Sequence, residues 1–485
     1  MIRSLVRIAA ATMCGAIVQV TTPAIGAWER FHGDAANRGF ADVDTKPAGG
    51  GSLSVPGLGT FALGAGPVIA PDGSVYLGTQ EGKLIALHAD GKPFWSRDIN
   101  KDESIVASPA IGADGSVYVI GAKSKITQIK LGVKKTEIAS ILYAFNATGA
   151  LLARTPFPTR TGLRGATSAP PNIVSVGGKE IILTPAIYKN PNISGVEMRL
   201  IGFSPSGGVV LDQLVAGQPG TATGGATAEG KGISASDAIC LIPPVGFVYC
   251  AICGFGQCDY NPSRDPGAPP PMPGVGVFTF AGGGAPHVIV NDQRHIIRGF
   301  TASSAAGLTK TFRVRDDGRS FVSAPMVLPD GHTLVSTGGG DIVFAGPNAN
   351  KLPPVRSPGI VYGPATLTVS GFAVVVGASG LAVLNNGKVV SQASLPASYT
   401  SAAASRTHVF VSTTDTFITF DADAQLELQR FDWVGGGKSP PAIGPDGRVY
   451  AMASDILFIF PPPLKVSKPL PHAPGAVLQK APGGQ

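Results

Sequence analysis

Apolar and polar positions alternate along this chain in short, strand-length runs, and turn residues separate them at nearly regular intervals. Val75-Tyr76-Leu77-Gly78 is followed by Gln80-Glu81-Gly82, then Lys83-Leu84-Ile85-Ala86-Leu87, then Ala89-Asp90-Gly91-Lys92, then Pro93-Phe94-Trp95-Ser96. Short strands joined by Asp-Gly and Gly turns predict one antiparallel sheet. The unit that opens this sheet, Gly66-Pro67-Val68-Ile69-Ala70-Pro71-Asp72-Gly73-Ser74-Val75-Tyr76, returns from Ser108 to Tyr118 and again from Ser439 to Tyr450. Further copies start near 168, 323, 363 and 401, and the starts at 323, 363, 401 and 439 are 40, 38 and 38 residues apart. A four-stranded unit at that period predicts an all-β propeller.

The long interval from 168 to 323 must hold one more copy, expected near Ser236. Its inner hairpin would be Cys240 to Cys250, and its outer half Ile296-Ile297-Arg298-Gly299-Phe300 onward. This gives eight blades; seven or nine stays open, because Val275 to Val290 could be a blade of its own. The last copy stops after Ile456-Leu457-Phe458-Ile459-Phe460, one strand short, while Ser52-Leu53-Ser54-Val55 has no other partner. That N-terminal strand is expected to close the ring and so remove an open sheet edge. The propeller then spans 28–461. The Pro-rich remainder, 462–485, cannot bury a core and is expected to be disordered.

Composition adds a compartment. Residues 1–27 combine a basic start (Arg3, Arg7), an apolar run from Ile8 to Val20 and the small residues Gly26-Ala27, which is the layout of a secretory signal. The apolar run is too short to span a bilayer, so a periplasmic or secreted protein with no transmembrane segment is expected. Removing residues 1–27 takes away two arginines and no acid, leaving 36 basic against 31 acidic residues, a net charge of +5. That balance, without a dense basic and aromatic stripe, gives no reason to expect nucleic acid. The 65 glycines and 42 prolines are what a chain of many turns requires. Four cysteines follow the leader: Cys240, Cys250, Cys253 and Cys258. An even count in an exported chain favours disulfides over a four-thiolate metal site. Cys240 and Cys250 are equidistant from Val245 and would face each other across a hairpin, with Cys253–Cys258 closing a small loop.

The turn patterns Ala86-Leu87-His88-Ala89-Asp90-Gly91-Lys92-Pro93-Phe94-Trp95 and Ala144-Phe145-Asn146-Ala147-Thr148-Gly149 resemble the blade motif of the quinoprotein-like (PQQ-like repeat) β-propeller superfamily. The segment Trp28-Glu29-Arg30-Phe31-His32-Gly33-Asp34-Ala35-Ala36-Asn37-Arg38-Gly39 is similar to the opening segment of such propellers. Only the first two blades match closely; the later ones lack the motif's tryptophan, Trp433 being the only later Trp. The superfamily includes both cofactor-using dehydrogenases and non-catalytic binding proteins, among them a bacterial outer-membrane assembly lipoprotein, so fold alone does not fix function. The resemblance implies, as one alternative, a quinone (PQQ) held with calcium by Glu, Asn and Asp side chains. Calcium takes six to eight oxygens, and no carboxylate cluster of that kind stands in the inner-strand regions. No cofactor is therefore expected.

Candidate chemistry is sparse. His32, Asp34, Asn37 and Arg38 form the densest polar cluster near the start, read either as ligand contacts at a channel mouth or as fastenings of the opening segment, with Trp28 and Phe31 as apolar anchors. The histidines show no two-His metal spacing, and no nucleophile elbow occurs. Two insertions break the period. One carries Lys123, Lys125, Lys130, Lys134 and Lys135 and reads as a basic β-arm able to meet an anionic partner, or simply as a solvated hairpin. The other follows Cys250 and carries Asp259, Tyr260, Asn261, Arg264 and Asp265, a cysteine-pinned loop suited to recognition or a structural lid. Loops on a rigid ring are where propellers put function. The expected role is non-catalytic binding or scaffolding by a monomer, with a protein or polysaccharide partner at the channel mouth and inserted loops. A PQQ-dependent oxidoreductase and a carbohydrate-active enzyme are the alternatives.

Overall fold

The computed structural model describes residues 28–130, 133–160, 163–189, 196–216, 273–280, 283–293, 296–304, 307–316, 321–348 and 350–463; the side chains of 124–138, 163–164, 189 and 196 are outside that description. Eight antiparallel sheets of four or five strands follow one another along the chain and form an eight-bladed propeller. Blade 1 spans 68–98, blade 2 103–156, blade 3 172–216, blade 4 276–315, blade 5 326–356, blade 6 366–394, blade 7 403–432 and blade 8 442–460. Blade 8 supplies only three strands of its own, and Leu53–Val55 pairs with Ile456–Phe460 to make the fourth, Leu53 opposite Ile459 and Val55 opposite Leu457. The ring is closed by the N-terminal strand, as its unpartnered apolar pattern predicts.

The repeated Asp-Gly unit is the turn between the two innermost strands. In blade 1 the Ala70 and Gly73 amides bond to the Ser74 and Ala70 carbonyls, and the Ser74 amide donates to Asp72 Oδ1 at 2.8 Å. Blades 2 and 8 repeat this with Asp114 to Ser116 (2.9 Å) and Asp446 to Arg448 (3.0 Å). Gly73, Gly115 and Gly447 sit at φ of +86°, +80° and +83°, which explains why glycine follows the aspartate.

The core is a set of wedges between blades. Ile120, Leu142, Ile182, Ile201 and Phe203 fill the seam of blades 2 and 3; Val374, Val376, Val409, Val411 and Phe420 fill that of blades 6 and 7. Each buried aliphatic or aromatic side chain contributes roughly 1.5–3 kcal/mol. The motif tryptophan adds a polar clamp at one seam. Trp95, on the outer strand of blade 1, donates its indole N–H to Ala147 O of blade 2 at 2.9 Å, and Arg97 Nε donates to Gly149 O at 2.8 Å. A Cβ on Gly149 would stand 2.8 Å from the Trp95 ring. At the next seam, the equivalent Gly207 meets only Ala153 and Thr155.

The fourth blade differs from its expected placement. All four of its described strands lie in 276–315, with Gly276–Phe278 innermost against His287–Asn291. Val275 to Val290, considered as a separate blade, is its inner half. The reason is pairing: Val277, Val288 and Val290 are buried toward blade 3, so this hairpin occupies the inner position that spacing alone assigns near 236. Residues 240–250 lie outside the described residues, as do all the cysteines and the loop bearing Asp259 to Asp265.

Successive blades are joined on one face, here called upper. The innermost strand of each blade runs from upper to lower face, and the second and third strands meet again on the upper face. That face carries the departures from the repeat. The middle hairpin of blade 2, Val117–Lys130 with Val133–Phe145, is paired from Val117–Phe145 to Lys130–Val133. The same hairpin in blade 1 has strands of only 4 and 5 residues, so the arm of blade 2 rises roughly 30 Å higher at 3.3 Å per residue. Blade 3 has a longer hairpin too, Lys179–Lys189 with Val196–Phe203.

Candidate functional site

The central channel is where the blades converge. Residues 28–41 wind around it and bond to the innermost strands in chain order. Trp28 exchanges two backbone bonds with Ile69 of blade 1, and Glu29 O accepts from Ile111 of blade 2 at 2.8 Å. Ala35 O accepts from Asn172 Nδ2 of blade 3 and from the Val277 amide of blade 4. Ala36 O accepts from Val327 of blade 5, Arg38 O from Leu367 of blade 6 and Gly39 O from Ala404 of blade 7. These inner-strand amides otherwise face the channel with no strand beyond them, so the segment satisfies groups that the ring leaves open.

The four polar residues singled out near the start are brought together, as fastenings. His32 is fully buried; its Nδ1 lies 2.7 Å from Asn37 O, and its Nε2 lies 2.9 Å from Ala402 O and 3.1 Å from Thr366 Oγ1. Burial holds its pKa below the ordinary imidazole value. Asn37 is buried at φ +54° and donates from Nδ2 to the Val275 and Pro325 carbonyls, both at 2.9 Å, tying blade 4 to blade 5. Asp34 accepts from the Ala36 and Arg38 amides and from the Arg38 guanidinium. Two further fastenings carried no local sequence signal. Thr45 Oγ1 lies 3.0 Å from His408 Nδ1 and 2.8 Å from Ser405 Oγ, and Arg406 bonds to Asp44 at 2.9 Å. Each joins residues more than three hundred positions apart.

The segment fills the lower part of the channel and leaves a funnel on the upper face. Its cavity is about 320 Å³ including the open mouth. Phe31 forms the floor, and Ala65, Val106, Pro170, Ala324 and Pro364 stand on the wall, contributed by successive blades. No charged side chain lines it among the described residues. Below the floor lie Arg30, whose pKa burial lowers, and Glu29, whose pKa burial raises. The acidic and amide oxygens needed to hold calcium beside a quinone are not assembled on this wall, and no group of three or more His, Cys, Asp or Glu side chains is placed to hold a metal among the described residues. The described funnel suits an apolar group.

The other sites sit around its rim. Lys123 is half-buried at the base of the blade 2 arm, its backbone opposite Glu103 and Ala139. Lys125, Lys130, Lys134 and Lys135 lie on the arm itself, where only backbone pairing is described. The arm's base is braced by Glu103, whose carboxylate accepts from Tyr143 Oη at 2.6 Å, Arg154 at 2.8 Å and Asn100 at 3.0 Å. Burial alone would raise the Glu103 pKa; those three bonds outweigh it and hold it below the usual carboxylate value. The cysteine-bearing stretch leaves the described chain after Ala216, at the upper end of blade 3, and the chain resumes at Pro273 on the funnel wall. No helix among the described residues is long and apolar enough to cross a membrane.

Fold and blade motif together define a β-propeller of the PQQ-like repeat superfamily. More particularly, residues 41–223 match the family model described as outer membrane protein assembly factor BamB. Among solved structures, Sqt1 of Saccharomyces cerevisiae is similar at 10% identity and a TM-score of 0.53, covering 87% of this chain and 100% of that one. The C-terminal WD40 domain of Sif2 is similar at 9% identity and a TM-score of 0.52, covering 87% and 99%. BamB from Moraxella catarrhalis aligns at 14% identity and a TM-score of 0.44, covering 83% and 84%. The first two likenesses show the propeller fold. No curated protein matches the chain.

Proposed function

We propose that this is an exported, non-catalytic propeller of the bacterial envelope that binds a protein partner on its upper face and acts as an assembly scaffold. The observation that carries this reading is the gathering, among the described residues, of the large departures from the repeat on one face: the blade 2 arm, the longer blade 3 hairpin and both ends of the 217–272 stretch surround the apolar funnel. A rigid ring that spends its irregular elements on one rim presents a shaped surface for a macromolecule. The funnel at its centre can receive one apolar side chain, the kind of anchor that dominates protein interfaces. The match of residues 41–223 to an outer-membrane assembly family supports the compartment and the scaffold role. With no charged side chain on the described wall, the funnel gives the quinone-dependent alternative little support.

The test is capture of envelope proteins by purified protein carrying two sets of changes. Replacing 124–138 with an Asn-Gly turn removes the arm and leaves the blade's own strands paired from Lys123–Ala139 inward. Changing Lys92 and Lys388 to Glu alters only the lower rim. The arm deletion should abolish capture at unchanged Tm, and the lower-rim variant should retain it. Loss of capture in the lower-rim variant alone would reject the upper-face reading. Saturable binding of PQQ with calcium, accompanied by dye reduction, would replace it with the oxidoreductase, and release of sugars from a glycan with the carbohydrate-active enzyme.

A further inference from the structure

We infer that the seam between blades 3 and 4 holds a binding site for a phosphate or sulfate group, built on Arg298 and Arg313. The two arginines stand directly opposite each other on neighbouring strands of blade 4. Residues so paired have Cβ atoms about 5 Å apart on one face of the sheet, and like charges there repel. The face is fixed by register. Val290 stands opposite Arg298, and Val290, Phe300 and Ala302 pack toward blade 3, whereas Ile297 and Val314 pack toward blade 5. Arg298 and Arg313 therefore turn toward blade 3.

Among the described residues, no carboxylate of blade 3 faces them. Its side toward blade 4 carries Met198, Leu200 and Val215, and its polar residue there, Gln213 opposite Leu200, donates its Nε2 to Leu214 O at 3.1 Å. Its carboxylates, Glu180, Glu197 and Asp212, turn to the other side, where Glu180 accepts from the Ala113 amide of blade 2 and the other two pair with Arg199 and Arg160. Neither Arg298 nor Arg313 forms an ion pair among the described residues. Arg298 is half-buried, and its Nε is shielded from solvent with no hydrogen-bond partner. Among the described residues, the carboxylate whose field reaches Arg298 is Asp292, which accepts the Ile296 amide at 2.9 Å. Gln293, in the same turn, is 9% exposed at φ +60° and buries an unpartnered Nε2.

A like-charged pair with a shielded, unused donor is unfavourable as it stands. Two guanidinium forks on neighbouring strands of one sheet face are a donor set that a tetrahedral oxyanion can take, through charge-assisted bonds to several oxygens. The pair lies near the upper end of blade 4, so the group would be bound on the face that carries the funnel.

The experiment measures Tm of the full chain in inorganic phosphate, in sulfate and in chloride at matched ionic strength. Phosphate and sulfate should raise Tm above its value in chloride, because a ligand that binds only the folded state stabilises it. Calorimetry with inorganic phosphate should show saturable binding, weakened about tenfold or more by Arg313→Gln, an exposed position whose change leaves the fold intact. Arg298→Met should remove the oxyanion response without lowering Tm in chloride, since it relieves the repulsion. Vesicles of phosphatidylcholine with and without phosphatidylglycerol separate two sources of the group. Arginine-dependent binding to the anionic vesicles assigns it to a lipid headgroup, and binding of inorganic phosphate alone assigns it to a soluble ligand. Equal Tm in all three salts, or variants that respond as the parent does, would overturn the site. So would a lower Tm for Arg298→Met in chloride, which would mean that the chain already pairs this cation.

Discussion

On the lower face, Asp72, Asp114 and Asp446 hold equivalent turns with equivalent bonds, each followed by a glycine in the left-handed region. On the upper face, the same strands end in a paired arm, a second long hairpin, the flanks of a long insertion and an apolar funnel. The lower turns are dictated by the need to reverse the chain between inner strands, and they repeat because that need repeats. The upper connections are under no such common constraint. Function in this ring is therefore to be sought where the repeat is broken, and the repeated Asp-Gly units serve folding.

The largest effect is expected at Asn37, which belongs to the segment filling the channel beneath the funnel. Asn37→Ala leaves the buried Pro325 carbonyl without its donor, while the Val275 carbonyl keeps its bond from Asn172, and it puts alanine at φ +54°. The orphaned carbonyl costs about 1–3 kcal/mol and the left-handed backbone about 1 kcal/mol more, so a loss of about 3 kcal/mol is expected in chemical denaturation. A change below about 0.5 kcal/mol, the level of an ordinary surface substitution, would mean that the segment is not a structural axle and that its polar cluster is free to serve a ligand. Next in size is Glu103→Gln at the arm's base. The Glu103 side chain is fully buried beside Arg154, and removing its charge is expected to cost about 2 kcal/mol and to diminish partner capture along with stability.

The sequence carried the ring itself. Strand-length runs, the turn unit and an unpartnered N-terminal strand were sufficient for the blade architecture and its closure, because these are local or periodic properties. Blade 4 was less legible: an insertion hides the period, and only the burial of Val277, Val288 and Val290 shows which hairpin is innermost. Of the channel, the sequence offered the residues but not their use. His32 and Asn37 stood out as polar, yet their partners are Ala402, Thr366, Val275 and Pro325, set by tertiary packing alone. The Arg298–Arg313 pair was silent, since its face depends on an extra residue bulged into one strand near Phe300.

Smaller effects sharpen the contrast. Trp95→Ala deletes the indole bond to Ala147 O and the ring that packs on Gly149, costing about 1–2 kcal/mol for a half-buried ring with one hydrogen bond. Asp72→Ala on the lower face removes one side-chain bond to the Ser74 amide and should cost about 1 kcal/mol. Denaturation of both variants alongside capture assays provides the check: each should keep its partner in proportion to the folded fraction. A lower-face turn variant that folds normally and loses capture would reverse the assignment of the faces.

The last effect is on pH. His32 and His408 both bind the N-terminal segment into the ring, and burial lowers the pKa of each. Both rings are therefore neutral in the folded protein at neutral pH. Above about pH 6.5, the ordinary imidazole pKa, the unfolded chain is also deprotonated, and their contribution is fully present. As pH falls below that value, the unfolded chain takes up protons that the folded one refuses, so stability declines until pH passes the lowered folded values. Glu103 acts in the same direction but only further down, below the usual carboxylate range. Tm measured from about pH 7.5 to about pH 5 should fall, and His408→Gln should flatten part of that fall. The turn that Asp72 closes, Ala70 to Ser74, contains no histidine, so Asp72→Ala should leave the slope unchanged. A slope that Asp72→Ala alters and His408→Gln does not would show that the segment is held by something other than its buried imidazoles.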